Sequence, residues 1–327
     1  MIRRTDLVKE FRALLEGKSR KTSWADLMDR TLADMGMITP NDSHSILVAL
    51  SKALKPRQQL HPVKAAPVAL GLINRVLDSP EVAFRTKAGV FGLVNRLGID
   101  WTRHLPEKSR DRAIDDLKHK FVESCESSMD SFVDPQAIGY ACEAAVEFSL
   151  VSPEFTQIVA ENLRNHIWSY PPLAVVQVAR YLDLANESAP STWEALIERT
   201  MSDLSSLTPQ NLACLLRSTG HRISSLHDWE KICEYLSYHS GKMRLQDCLS
   251  FFECLSIGSP EVLRTDSAQR LVNSLQRRAR VLIITSPVRV SFDDVLRICC
   301  SLEKLVHLGS RGTIHSSINH FKLLGVS

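Results

Sequence analysis

No apolar run in this chain approaches the roughly 18 to 20 residues that a membrane-spanning helix needs. The densest short stretch is Val281-Leu-Ile-Ile284, so the protein is expected to be soluble, with no membrane partner. A dominant charge of one sign is also missing. The 40 Lys and Arg against 37 Asp and Glu leave a net charge of +3 and a pI near 8.4, below the value of about 9 that marks a dedicated nucleic-acid-binding domain. The eight cysteines, at 125, 142, 214, 233, 248, 254, 299 and 300, include no Cys-x-x-Cys pair. Free cysteine behaves as a small buried hydrophobe, so this usage implies a reducing compartment and no disulfide framework.

The signatures of catalysis are equally scarce. Gly17-Lys18-Ser19 resembles the end of a phosphate-binding loop, but that loop needs a glycine where this chain has Arg12. The eleven histidines show no His-x-x-x-His spacing, and His315 and His320 are five apart, on different faces of a helix. There is no Gly-x-Ser-x-Gly elbow and no His-Glu-x-x-His. The one paired carboxylate, Asp293-Asp294, falls in the first turn of an expected helix, where the dipole favours negative charge. No catalytic residue, metal ligand, cofactor or small-molecule substrate is assigned, and the chain is expected not to be an enzyme.

What is present is repetition. Trp24-Ala-Asp-Leu27-Met28, Trp193-Glu-Ala-Leu196-Ile197 and Trp229-Glu-Lys-Ile232-Cys233 open three segments alike, the last two 36 residues apart. Pro135, Pro172 and Pro209 stand 37 residues apart twice over, each beginning an apolar segment, and Leu245-Gln246-Asp247 continues the series. A fixed period of this size marks stacked helical hairpins. Periodicity with start and stop signals predicts helices over 24–36, 40–54, 64–78, 81–97, 108–128, 134–149, 153–168, 171–184, 191–205, 209–219, 226–239, 243–256, 260–282 and 291–307, with a closing helix over 311–323. The prolines suit first helical turns, where a missing N–H is harmless. Asp134, Thr208, Thr192 and Asp228 sit at cap-like positions. No stretch alternates as a strand does. The expected fold is all-α, an α-solenoid of about seven helical hairpins with a 36–38 residue period. Residues 1–22 form a capping helix or presequence remnant, 23–307 the array and 308–327 a C-terminal capping helix. The tryptophans are read as packing anchors between repeats.

Candidate partner sites are cationic. Arg270, Arg277, Arg278 and Arg280 gather several charges within three turns of one helix, and such a patch neutralises phosphates with salt-sensitive affinity. Lys108, Arg110, Arg112, Lys118 and Lys120 form a second group, diluted by acids, and Lys52, Lys55, Arg57 and Lys64 a third; both read as solvated surface. Equivalent positions along the second helix of each hairpin carry Glu143, Arg180, Arg217, Glu253 and Cys300. That is no continuous basic stripe, so contacts should be patchy, with Arg180 and Arg217 as further candidates.

The hairpin with Trp-x-x-Leu opening one helix and Leu207-Thr-Pro-Gln-Asn-Leu-Ala213 opening the next resembles the heptatricopeptide-type repeats of FAST-kinase-like and RAP-domain proteins and related organelle RNA factors. The resemblance covers roughly residues 130–305, and 24–55 less closely. The chain departs from it in lacking the Gly-x-x-x-x-Ala core of pentatricopeptide repeats and any RAP-like domain after residue 305, so no nuclease activity is carried over. The resemblance implies a mitochondrial or plastid protein that works on RNA with other protein subunits of a large complex; the mitochondrion is the expected compartment, with the cytoplasm as the alternative. An RNA-processing, RNA-editing or ribosome-related assembly of the trypanosome mitochondrial kind is one such setting. The alternative is a protein–protein adaptor that touches no RNA.

Overall fold

The computed structural model describes residues 6–18, 22–54, 60–105, 107–127, 134–257, 260–285 and 291–308, and among them it is helical with no strand. The helices are α1 (Asp6–Leu15), α2 (Trp24–Ala33), α3 (Pro40–Ala53), α4 (Pro62–Leu77), α5 (Phe84–Arg96), α6 (Trp101–His104), α7 (Glu107–Ser127), α8 (Pro135–Phe148) and α9 (Pro153–His166). They continue as α10 (Pro172–Leu184), α11 (Pro190–Ser202), α12 (Pro209–Thr219), α13 (Leu226–His239), α14 (Leu245–Ile257), α15 (Pro260–Leu263), α16 (Asp266–Thr285) and α17 (Phe292–Leu308). The expected closing helix over 311–323 lies outside the described residues.

Local chemistry explains where these helices begin. Pro40, Pro62, Pro135, Pro153, Pro172, Pro190 and Pro209 are each the first residue of a helix, where proline's fixed φ is already helical. The hydroxyls of Thr39 and Thr208 and the carboxylate of Asp134 accept N–H bonds from Asp42, Asn211 and Gln136. Two expected caps are corrected. Thr192 lies buried inside α11, where its hydroxyl accepts from Arg164 at 2.8 Å, because Pro190 starts the helix earlier. Asp228 lies in the first turn of α13, and the cap is Ser225, whose hydroxyl accepts the Asp228 N–H at 3.2 Å.

The ends depart more from expectation. The segments predicted as 24–36, 153–168 and 191–205 leave the α-helix early and finish in single 3₁₀ turns, Met35–Met37, Ile167–Ser169 and Leu204–Ser206. A fourth such turn, Ser240–Lys242, follows α13. Each turn delivers a buried residue, Ile38, Tyr170, Leu207 or Met243, just ahead of the next helix. The predicted helix 260–282 is two helices, α15 and α16. Thr265 divides them because its hydroxyl accepts the Ala268 N–H at 3.2 Å and so caps a new start. Ser149 and Asn186, 37 residues apart, close α8 and α10 in the left-handed conformation with φ of 52° and 54°. The amide that follows each of them, Leu150 or Glu187, bonds back to Ala145 or Leu182.

The chain divides into two compact units, Met1–Asn162 and Leu163–Ser327, with the boundary inside α9. In the first, α3 packs on α5 and α5 on α8, while α2 packs on α4. Phe11 of α1 is fully buried with its ring 6.1 Å from that of Trp24, and Arg30 forks onto Glu10 at 2.7 and 3.0 Å. Phe91, Phe121 and Phe155 meet edge-to-face further along. In the second unit α10 packs on α12, α12 on α14 and α14 on α17, and α13 packs on α16. No helix among the described residues is long and apolar enough to cross a membrane.

Candidate interaction surfaces

Trp193 and Trp229 occupy equivalent places near the starts of α11 and α13. They are 4% and 2% exposed, and each indole N–H donates to the carbonyl six residues earlier, Glu187 at 2.9 Å and Ile223 at 3.3 Å. This is the anchoring role read from the sequence.

A second recurring contact was not legible in the sequence. The carbonyl of the residue delivered by a 3₁₀ turn accepts a hydrogen bond from a later helix of the same unit. Arg75 Nε of α4 donates to Ile38 at 3.0 Å, Tyr235 Oη of α13 to Leu207 at 2.7 Å, and Arg278 Nε of α16 to Met243 at 2.9 Å. Arg75 lies 37 residues after its acceptor and Arg278 lies 35 after its own. Donor types vary because the demand is only for one N–H or O–H at that point.

These clasps redistribute the cationic candidates. Arg278 is engaged with the fold. Arg217 bonds Ser250 at 2.6 Å and reaches Glu253 at 3.4 Å, and Glu253 also holds Arg297 at 2.7 Å. In the first unit Glu143, at the equivalent position of α8, pairs with Arg96 of α5 at 3.8 Å. The mixed charges that broke the basic stripe are therefore rungs between adjacent helices, α5 to α8 and α12 to α14 to α17. Arg270 is exposed, with Glu234 at 3.8 Å and Ser267 at 3.3 Å. Arg180 and Arg277 are exposed and Arg280 is half-buried, and none has an ion-pair partner among the described residues. Of the diluted clusters, Lys120 is tied to Asp78 at 2.7 Å, while Lys55 and Arg57 lie outside the described residues. Among the described residues no hydrogen bond or ion pair joins Arg180 or Arg217 to the α16 arginines.

The remaining sequence candidates are structural. Gly17, with φ of +67°, terminates α1, and Lys18 pairs with Glu16 at 2.6 Å. Asp294 and Ser291 cap α17 reciprocally, the Asp294 N–H reaching Ser291 Oγ at 3.1 Å. Burial raises the Asp294 carboxyl, but hydrogen bonds from Ser291 and Gln246 outweigh it and hold the group below its ordinary value.

An open groove of about 810 Å³ lies in the second unit. One side is a continuous face of α11 and the other comes from the residues before α13 and its first turns; Trp168 completes the lining. This site was invisible to motif reasoning, because its residues come from three separate segments and match no pattern. Arg222 lies on the Trp193 ring with Cζ 3.8 Å from the centroid, held there by Asp183 at 3.2 Å and the Ser218 carbonyl at 2.7 Å.

All eight cysteines are free thiols, and only Cys300 is exposed. Burial pushes the thiols of Cys233, Cys248 and Cys254 up to about 12. At pH 8 those groups hold almost no reactive thiolate, so a disulfide reagent should modify about one thiol per chain quickly in the native protein. In denaturant it should modify all eight. Rapid native labelling of Cys233 or Cys248, read by peptide mass, would show that α13 and α14 open far more readily than their burial implies. Among the described residues no group of three or more His, Cys, Asp or Glu is placed to hold a metal ion.

No protein-family model matches this chain, and no curated protein matches it significantly. The residues themselves carry the functional reading.

Proposed function

We propose that this chain is a non-enzymatic α-solenoid scaffold, a subunit of a mitochondrial RNA-processing, RNA-editing or ribosome-related complex, which touches RNA through arginines of α16. The 36–38 residue period and the like-on-like packing of α10, α12, α14 and α17 support the solenoid. The observation that supports RNA contact is the state of the cations. Arg277 is exposed and unpaired, and Arg270 lies seven residues before it, about two turns away on the same face. Arg277 has no ion-pair partner among the described residues and Arg270 has a loose one, Glu234 at 3.8 Å, so both can replace counterions along a phosphate backbone.

Filter binding of a single-stranded RNA across a range of salt concentrations tests this. Arg270→Ala with Arg277→Ala should weaken binding and reduce the slope of log affinity against log salt by somewhat under two units. The melting temperature should hardly move. Full RNA affinity in the double variant, or none in the parent chain, would replace this reading with the adaptor. The adaptor has its own supporting observation in the groove beside α11, which carries more free anions than free cations.

A further inference from the structure

We propose that the groove beside α11 is a docking site for an amphipathic helix of a partner protein, one whose aliphatic stripe is flanked by lysine or arginine. The shape argues for a helix. Lining positions on α11 run from Pro190 to Ser202 at helical spacing, one face over three turns. At 1.5 Å per residue that face is roughly 18 Å long, enough for about twelve residues of a partner helix laid against it. The floor is apolar, made by Trp193, Ile197 and Met201. Trp168 lines the groove with its side chain held by little: it is 61% exposed, with Arg199 Cζ 5.9 Å from its ring centroid. A large indole left that open beside an apolar floor is the kind of side chain that anchors an interface.

Charge decides the partner. Glu194 and Glu198 line the groove four residues apart on α11, and Asp228 faces it from α13. None of the three has a cation partner among the described residues. The cations present do not balance them. Arg222 is neutralised by Asp183 and spread over the Trp193 ring, which leaves Lys231 of the lining, and Arg199 against Trp168, facing three carboxylates. A basic flank on the incoming helix would complement that rim, and one of its cations would find the open face of Trp168. An acidic helix, or an RNA strand, would meet repulsion.

The probes are two fluorescein-labelled synthetic peptides of about fifteen residues with the same amphipathic leucine pattern, one carrying lysine and the other glutamate at the polar positions. They are titrated with the full chain by anisotropy. The lysine peptide should bind at least roughly tenfold more tightly than the glutamate peptide. Glu194→Lys with Glu198→Lys should reverse that order, and Trp168→Ala should weaken the lysine peptide by roughly tenfold. These side chains are exposed, so circular dichroism and the melting temperature should match the parent in every variant. The proposal is overturned if the charge reversal leaves the peptide preference as it was, or if Trp168→Ala binds the lysine peptide as well as the parent does. RNA contact rests on Arg270 and Arg277 instead, so loss of RNA binding with intact peptide binding, or the reverse, separates the two readings.

Discussion

Trp193→Ala and Trp229→Ala should each lower the free energy of unfolding by about 3–5 kcal/mol, the usual range for emptying a buried aromatic site. Both indoles are almost wholly enclosed. Each also satisfies a loop carbonyl, Glu187 or Ile223, that would otherwise lose its partner. Removing Trp193 should have a further consequence, because the Arg222 guanidinium rests on that ring. Trp→Phe at either position keeps much of the volume but cannot donate, so it should cost about 1–3 kcal/mol. Urea denaturation followed by circular dichroism measures both. A Trp193→Ala chain with the parent's transition midpoint would mean that the loop before α11 is positioned by something other than this anchor.

Arg278→Ala should destabilise the chain by about 1–3 kcal/mol, since it leaves the Met243 carbonyl without the Arg278 donor. Arg277→Ala, one residue away, should stay within about 0.5 kcal/mol of the parent, as surface substitutions do. Arg280→Ala should behave like Arg277→Ala. The contrast separates two roles within one arginine run. If Arg278→Ala instead kept the parent's stability and lost RNA affinity, Arg278 would be a phosphate contact and its bond to Met243 dispensable. Arg75→Ala is the parallel case in the first unit, where two bonds are lost at once, to Ile38 and Gly36.

Helix starts were legible because their causes are local. A proline at the first position, or a threonine or serine accepting an N–H three residues on, acts within one turn and is written into consecutive residues. Thr192 and Asp228 stand one turn past the true caps, directly before the tryptophans that are the most visible residues of their segments. Helix ends were less legible, since a 3₁₀ turn such as Leu204–Ser206 has no residue type of its own. Thr265 shows the limit from the other side. Its hydroxyl divides α15 from α16 inside a stretch whose apolar pattern runs on unbroken.

The candidate sites divide along the same line. By itself the sequence determined that the chain is helical, where most helices begin, and that Trp193 and Trp229 are equivalent anchors, because each rests on spacing and neighbours in the chain. Only the tertiary structure decided which arginines remain free. Arg277 and Arg278 are adjacent in sequence, yet a helix turns by about 100° per residue, so one faces solvent while the other reaches a carbonyl 35 residues upstream. Only the tertiary structure, too, brought Trp168, Glu194, Glu198 and Asp228 to one groove. Charge neutralisation and enclosure are properties of what packs against a side chain, and that neighbour comes from a distant part of the chain.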